Sequence, residues 1–255
     1  MKILKIFKRY LGFVYRRLLS FYTPEIFFKT ELADFGTFSM LLPHGLHSFR
    51  HWGGSGSKNS EFERYVNFAR KAEVVFDIGA HVGLTALPLL GFCKQLHLFE
   101  PNRANFNLLR RNVLKNNNDR SAVFFNNVAV GSVETEVPFS SVNITSPVCQ
   151  ISVDEMDYTN LVPQVCLDDY SRQSNVLPDI VKIDVEGWEV EVLKGLVNVA
   201  KKKKISIFLS VHPSRLRLYG YDVNDVMNCL RGLGIDAEAF QGIDRIKDKE
   251  YFFEN

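Results

Sequence analysis

Nowhere in these 255 residues does an apolar run approach the roughly 18 residues that a membrane-crossing helix needs, because charged side chains interrupt each run well before that length. Charge of one sign is missing too: 31 Lys and Arg against 29 Asp and Glu leave +2, so the chain as a whole lacks the electrostatic footprint of a nucleic-acid binder. Cysteine is scarce. Cys93, Cys149, Cys166 and Cys229 form no C-x-x-C pair and no zinc-ligand spacing, which excludes a disulfide or zinc framework and reads as reduced, mostly buried thiols of a cytosolic protein. Internal repeats and low-complexity linkers are absent as well, so nothing marks a second folded domain. What is there is ordinary globular composition, 46% hydrophobic and 24% charged, at a length that suits one α/β domain with modest additions.

The near-zero net charge conceals an uneven distribution. Residues 1–20 carry Lys2, Lys5, Lys8, Arg9, Arg16 and Arg17 and no acid. At helical spacing these gather on one side, with Ile3, Phe7, Leu11, Val14 and Leu18 on the other. Such a helix can lie on an anionic membrane surface through residues 1–22, or pack its apolar side on protein with the basic side solvated. Arg16 and Arg17 stand where the apolar core of a secretory signal would have to continue, so the segment does not read as one. A division at 1–60 (helix and connection) and 61–255 (main domain) follows. The connection holds a possible strand pair over Phe35–Leu42 and the loop His51-Trp52-Gly53-Gly54-Ser55-Gly56-Ser57, which is either a plain linker or a cover for a nearby site.

The main domain is organised around Val74-Val75-Phe76-Asp77-Ile78-Gly79-Ala80-His81-Val82-Gly83. An apolar run ending in Asp-x-Gly-x-x-x-Gly predicts a buried parallel strand and a glycine turn, then a helix over 84–92. Gly79 frees the backbone for a conformation that a side chain would block, and Gly83 allows close approach by a ligand or by the strand. Turns of this kind hold nucleotide-like cofactors. The spacing is neither the G-x-G-x-x-G of dinucleotide binding nor a Walker loop, since a third glycine and a following lysine are both missing. It is similar to the turn of class I methyltransferases, which wraps the amino-acid end of S-adenosylmethionine. An acid at Asp77 suits that cofactor's ammonium group and would repel a pyrophosphate.

The second strand, 95–100, ends in Glu100, 23 residues beyond Asp77. An acid there is placed to accept both ribose hydroxyls of a nucleoside. The alternation continues with a helix over 102–117, a strand over 122–130, a strand over 179–185 and a helix over 186–200. A strand over 205–211 and a helix over 223–233 follow, and a hairpin of 235–240 with 250–253 completes a seven-stranded sheet. At the end of the third strand Asn127, with Asn126 beside it, offers an amide for the adenine edge. Between 132 and 170, short β-like pieces at 135–139, 148–153 and 164–167 make an insertion at the carboxyl edge of the sheet, where open α/β sheets bind ligands. Asn143-Ile144-Thr145 matches a glycosylation acceptor without a secretory context to give it meaning.

These pieces together resemble the FkbM-type methyltransferases. The matching stretches are FDIGAHVGLTAL (76–87), FEPNRANFNLLRRN (99–112), NNVAVG (126–131), CLDDY (166–170), DIVKIDVEGWEVEVLKG (179–195) and SVHP (210–213). His81 stands where the family usually has Asn, and Ser210 where it often has Glu. The resemblance implies a Rossmann-like class I methyltransferase fold, a mostly parallel sheet with helices on both faces. It also implies S-adenosylmethionine as cofactor, held by Asp77, Gly79, Ala80, His81, Gly83, Glu100 and Asn127. The implied acceptor is a hydroxyl of a glycan or other secondary metabolite.

Methyl transfer is displacement at a sulfonium carbon that is already electrophilic, so the protein aligns the acceptor and handles its proton. His212, Asp184 and Glu186, at the tips of two strands, are the candidates for that task. His212, neutral at pH 7 by its ordinary pKa, is the expected base. The trio could also hold a divalent metal, an idea that Ser210 in place of an acid weakens. Glu186 reads equally as a helix cap, and Trp188 as a sugar platform or a packed indole. A nicotinamide dehydrogenase and a non-catalytic membrane-surface protein on the same fold are the rival readings.

Overall fold

The computed structural model describes residues 27–32, 35–41, 60–118, 121–141, 149–151, 161–235 and 249–253. The basic helix expected at 1–22, the loop from His51 to Ser57, the Asn143–Thr145 tripeptide and all of 235–240 except Ile235 lie outside them. Among the described residues no helix is long and apolar enough to cross a membrane.

In chain order the elements are β1 (Phe27–Glu31), β2 (Thr37–Leu41), α1 (Ser60–Ala69), β3 (Val74–Ile78), β4 (Gln95–Phe99) and α2 (Arg103–Asn116). Then come β5 (Ala122–Asn126), β6 (Ala129–Gly131), β7 (Thr135–Ser141), β8 (Cys149–Ile151), β9 (Leu161–Cys166) and α3 (Leu167–Ser174). The last are β10 (Ile180–Ile183), α4 (Glu189–Lys194), α5 (Val197–Lys202), β11 (Ser206–Val211), α6 (Pro213–Leu216), α7 (Val223–Gly232) and β12 (Lys249–Phe253).

Among the described residues, six strands form the main sheet in the order β12-β11-β10-β3-β4-β5. All neighbours are parallel except β12, which runs antiparallel to β11. This is the mostly parallel α/β sheet that the alternation implies. The central strands read VVFDI, IVKI and SIFLSV because both their faces are covered. One face, with Ile78, Ile183, Leu209 and Val211, packs on Val190, Leu193, Leu196, Val226 and Leu230 of α4, α7 and the α4–α5 joint. The other, with Val75, Leu96, Leu98 and Phe208, packs on Tyr65 and Val66 of α1 and Leu109 and Val113 of α2. At roughly 1.5–3 kcal/mol for each large apolar side chain buried, the two layers dominate the stabilisation. The direction of winding reverses between β3 and β10, and a crevice outside the carboxyl ends of such a pair is where open sheets take ligands.

Four expectations change. The third strand does not run unbroken from 122 to 130: β5 belongs to the main sheet, and β6 leaves it to pair with β9. The insertion pieces then build a separate sheet, β6-β9-β7-β8, packed on Trp188 and Tyr219. The helix over 84–92 is replaced by turns with a single 3-10 turn at Leu87–Leu89, since Pro88 lacks a backbone donor and Gly91 turns to φ +83°. The helix over 186–200 starts later and is cut in two. Glu186 (φ +55°) and Gly187 (φ +109°) are left-handed and Trp188 takes the N-cap position, so Glu186 is not a helix cap. At the cut, the Gly195 carbonyl accepts from Asp168 N, and the Asp168 carboxylate accepts from Asn198 N and Val199 N at the start of α5. Asp168 thus opens a new helix where the apolar spacing predicts a continuous one, and α3, which carries it, was not expected. The possible strand pair over 35–42 yields a single described strand, β2, whose antiparallel partner β1 lies before that stretch.

Candidate active site

The glycine turn leaves β3 with Gly79 N and Ala80 N both donating to the Phe99 carbonyl, at 2.9 and 3.0 Å. Gly79 has φ +76°, and a Cβ on it would stand 1.9 Å from the Asp184 carbonyl oxygen at the end of β10. Gly83, at φ +98°, is close to the Leu109 and Val113 side chains of α2 rather than to the strand. Because backbone cannot move aside as a leucine tip can, Gly79→Ala is expected to lower the thermal midpoint more than Gly83→Ala, read by calorimetric unfolding of both variants. His81 sits at φ +50°. Asn, Asp and His are the side chains that tolerate this region, so a histidine suits the position.

Glu100 ends β4 and is almost wholly buried. Its Oε2 accepts from His81 N at 2.9 Å and its Oε1 from Asn102 N at 2.8 Å, which ties the acid to the turn and leaves lone pairs on both oxygens. Burial pushes its carboxyl up to about 7, against the pull of those two amides and of Lys182. Asn127 is differently placed from the expected adenine contact. Its amide nitrogen donates to the Glu100 and Pro101 carbonyls at 2.8 and 3.0 Å, so its donor side fastens the strand end.

Asp77, expected to face a ligand's ammonium group, is enclosed by the fold. It is fully buried, accepts from Thr85 Oγ1 at 2.6 Å and pairs with Lys182 Nζ at 3.1 Å. Lys182 is the functional residue that sequence reasoning missed. It is 2% exposed, faces Asp77 in register across β10 and β3, and donates to the Gly79 carbonyl at 2.7 Å. Burial alone would lower its ammonium; the charges of Asp77 and Asp184 outweigh that and raise it. The turn therefore rests on a buried ion pair. A lone lysine inside Ile180-Val181-Lys182-Ile183 was the available signal, since a charge on a fully covered strand needs a partner.

Beside the turn, β10 and β11 bring Asp184, Glu186 and His212 together, as their strand-end positions predict. His212 Nε2 lies 3.7 Å from Asp184 Oδ1 and 3.7 Å from Glu186 Oε2, while its Nδ1 meets Glu189 Oε1 at 2.7 Å. Arg215 Nε pairs with Glu186 Oε2 at 2.8 Å. Gly187 makes this packing feasible: a Cβ there would be within 2.8–2.9 Å of Arg215 and Tyr219 atoms. Burial by itself would lower the His212 imidazole, but the Glu189 hydrogen bond and the neighbouring carboxylates lift it to about 9. The neutral imidazole expected at pH 7 is thus replaced by a charged one. Burial raises the Glu186 carboxyl, with Asp184 and Glu189 adding to it and His212 and Arg215 opposing. Trp188 is half-buried, donates to Gln164 Oε1 at 3.1 Å and meets Tyr219 edge-on at 4.9 Å, so it packs the small sheet against the cluster.

A family model described as the methyltransferase FkbM domain matches residues 77–235. No curated protein matches the chain. Among solved structures, a methyltransferase FkbM from Methylobacillus flagellatus is 21% identical over 63% of this chain and 37% of its own, with a TM-score of 0.47. A SAM-dependent methyltransferase from Agrobacterium tumefaciens is 9% identical over 87% of this chain and 61% of its own, with a TM-score of 0.46. An O-methyltransferase from Bacillus cereus, in complex with SAH, is 12% identical over 74% and 73%, with a TM-score of 0.40. The chain thus spans well under two thirds of the length of the first of these.

Proposed function

Since this chain belongs to the FkbM methyltransferase family, we propose that it moves the methyl group of S-adenosylmethionine onto a hydroxyl of a glycan or other secondary metabolite. The observation that carries this reading is the contact between Gly79 and the Asp184 carbonyl. It sets a nucleoside-binding turn and its Glu100 on one side of a single backbone junction, with Asp184, Glu186 and His212 on the other. A methyl donor on the turn then presents its sulfonium to an acceptor on the cluster.

The Glu100 carboxylate takes the ribose hydroxyls, and the Gly79–Gly83 backbone follows the amino-acid end of the cofactor. Bound on the turn, the cofactor would supply an electrophilic methyl group, and the cluster would hold the acceptor hydroxyl beside it, with the carboxylates of Asp184 and Glu186 placed to take its proton. His212 is fixed by Glu189, so the cluster holds its geometry without help from the acceptor. Alignment and proton removal are what the protein contributes, and a positioned acid–base group is worth about 10²–10⁴-fold.

The test is incubation with labelled S-adenosylmethionine and a panel of nucleotide-sugars, oligosaccharides and lipid-linked glycans. His212→Ala is expected to lower turnover by about 10²–10⁴-fold with cofactor affinity within a few-fold. Binding of NAD in competition with S-adenosylmethionine, or absence of label on every hydroxyl acceptor, would count against the proposal.

A further inference from the structure

Asp184, Glu186 and His212 converge on one point without bonding to each other. The two His212 Nε2 separations are 3.7 Å, beyond hydrogen-bond range, and one ligand atom from each of the three lies within 4.8 Å of the others. Each group is held from outside the trio instead. Glu189 grips His212 Nδ1 at 2.7 Å, Arg215 grips Glu186 at 2.8 Å, and the Asp184 backbone donates to the Ile78 carbonyl at 3.1 Å. Oxygen and nitrogen ligands at about 2.0–2.2 Å from an ion stand about 3.0–3.6 Å apart, so the two His212 separations are close to coordination spacing while the trio as a whole, within 4.8 Å, has to draw in around an ion.

Glu189 supplies a second, independent observation. It is fully buried; its Oε1 accepts from Gly187 N at 3.0 Å as well as facing His212, and its Oε2 has no hydrogen-bond partner. A carboxylate behind an imidazole holds the Nδ1 proton and turns Nε2 outward, so an ion that displaces the Nε2 proton meets that nitrogen, the arrangement that orients metal-binding histidines. Glu186 is also held at φ +55°, an uncommon conformation for a side chain of its kind, which aims its carboxylate at the trio.

We propose that Asp184, Glu186 and His212 form a site for a divalent transition-metal ion, Zn²⁺ or Mn²⁺, with Glu189 as the positioning residue behind His212. An imidazole among the ligands favours such ions over Mg²⁺ and Ca²⁺, which prefer oxygen throughout. Three protein ligands leave coordination positions free on the side where the trio is 18–22% exposed, which is where an acceptor hydroxyl would enter. The ion would polarise that hydroxyl and ease loss of its proton, a role that rests on the methyl-transfer reading. Ion binding itself does not rest on it.

The experiment takes the full-length protein, cleared of metal by a chelator and dialysis, and titrates it with ZnCl₂ by calorimetry and with MnCl₂ by the loss of its free-ion electron paramagnetic resonance signal. One equivalent is expected to bind. Asp184→Asn and Glu186→Gln should each weaken binding tenfold or more, and Glu189→Gln about 10–100-fold. S-adenosylmethionine affinity, measured in the same variants, should stay within a few-fold and also certifies that each is folded. If Glu189→Gln does not fold, the two more exposed substitutions carry the test. Absence of stoichiometric binding of both ions, or equal affinity in wild type, Asp184→Asn and Glu186→Gln, overturns the proposal. Metal binding by a protein that methylates no acceptor would sustain the site while removing the methyl-transfer reading.

Discussion

Lys182→Met is expected to destabilise the fold by about 3–5 kcal/mol, the scale for removing one partner of a buried ion pair. The methionine fits among its apolar neighbours in β10, so the loss comes from Asp77. That carboxylate is fully buried between Phe76 and Ile78, with Thr85 as its remaining donor. Whole domains are stable by about 5–15 kcal/mol, so the single variant should be marginal at 37 °C. Urea unfolding checks this, and the design includes its own control. Asp77→Asn combined with Lys182→Met removes both charges and should recover most of the stability, as replaced buried pairs often do. A single variant as stable as the parent would mean that the Asp77–Lys182 pair does not hold the fold together. Because Lys182 also holds the Gly79 carbonyl, the double variant should still bind S-adenosylmethionine more weakly than the parent.

Glu100→Gln and Glu100→Ala are each expected to weaken S-adenosylmethionine binding by about 1.5–3 kcal/mol, the value of hydrogen bonds to a charged acceptor. Wild-type affinity should also depend on pH. Burial lifts Glu100 to about 7 from its ordinary 4.5, so below neutrality the cofactor-free protein carries a proton where the ribose hydroxyls need an acceptor. Affinity should therefore climb about tenfold per pH unit on the acid side of 7 and level off above it. The sign for stability is opposite. The folded form keeps a proton that the unfolded chain gives up, so cofactor-free stability declines between about pH 4.5 and about 7. Calorimetry at several pH values settles both, with Glu100→Gln expected to flatten the binding profile. A flat wild-type profile would separate Glu100 from the cofactor.

Both residues belong to strands that were legible in the sequence, yet just one was legible as part of the site. Glu100 declares itself by local spacing: a glycine turn, then an acid at the next strand end. Lys182 depends on Asp77, 105 residues earlier, and no local pattern reports that the two face each other in register. The same distinction separates the rest. The covered strands β3, β4, β10 and β11 are written in continuous apolar runs. The break at Gly195 is not, because Asp168, from a helix with a short and mostly polar signature, creates it. Asp184, Glu186 and His212 are recognisable as strand-end groups, but the charge on His212 comes from three carboxylates that only the fold assembles. Glu189 looks like one more acid in the first turn of a helix, and its burial behind His212 is a tertiary fact.

The parting of β5 from β6 at Asn127 and Val128 has an evolutionary consequence. One side of that joint belongs to the sheet that carries the turn and Glu100, and the other to the four-stranded sheet leaning on Trp188 and Tyr219. Substitutions or length changes within β7, β8 and their connections leave the register of the main sheet untouched. Selection can therefore reshape the small sheet by drift and insertion while the turn and Glu100 stay fixed.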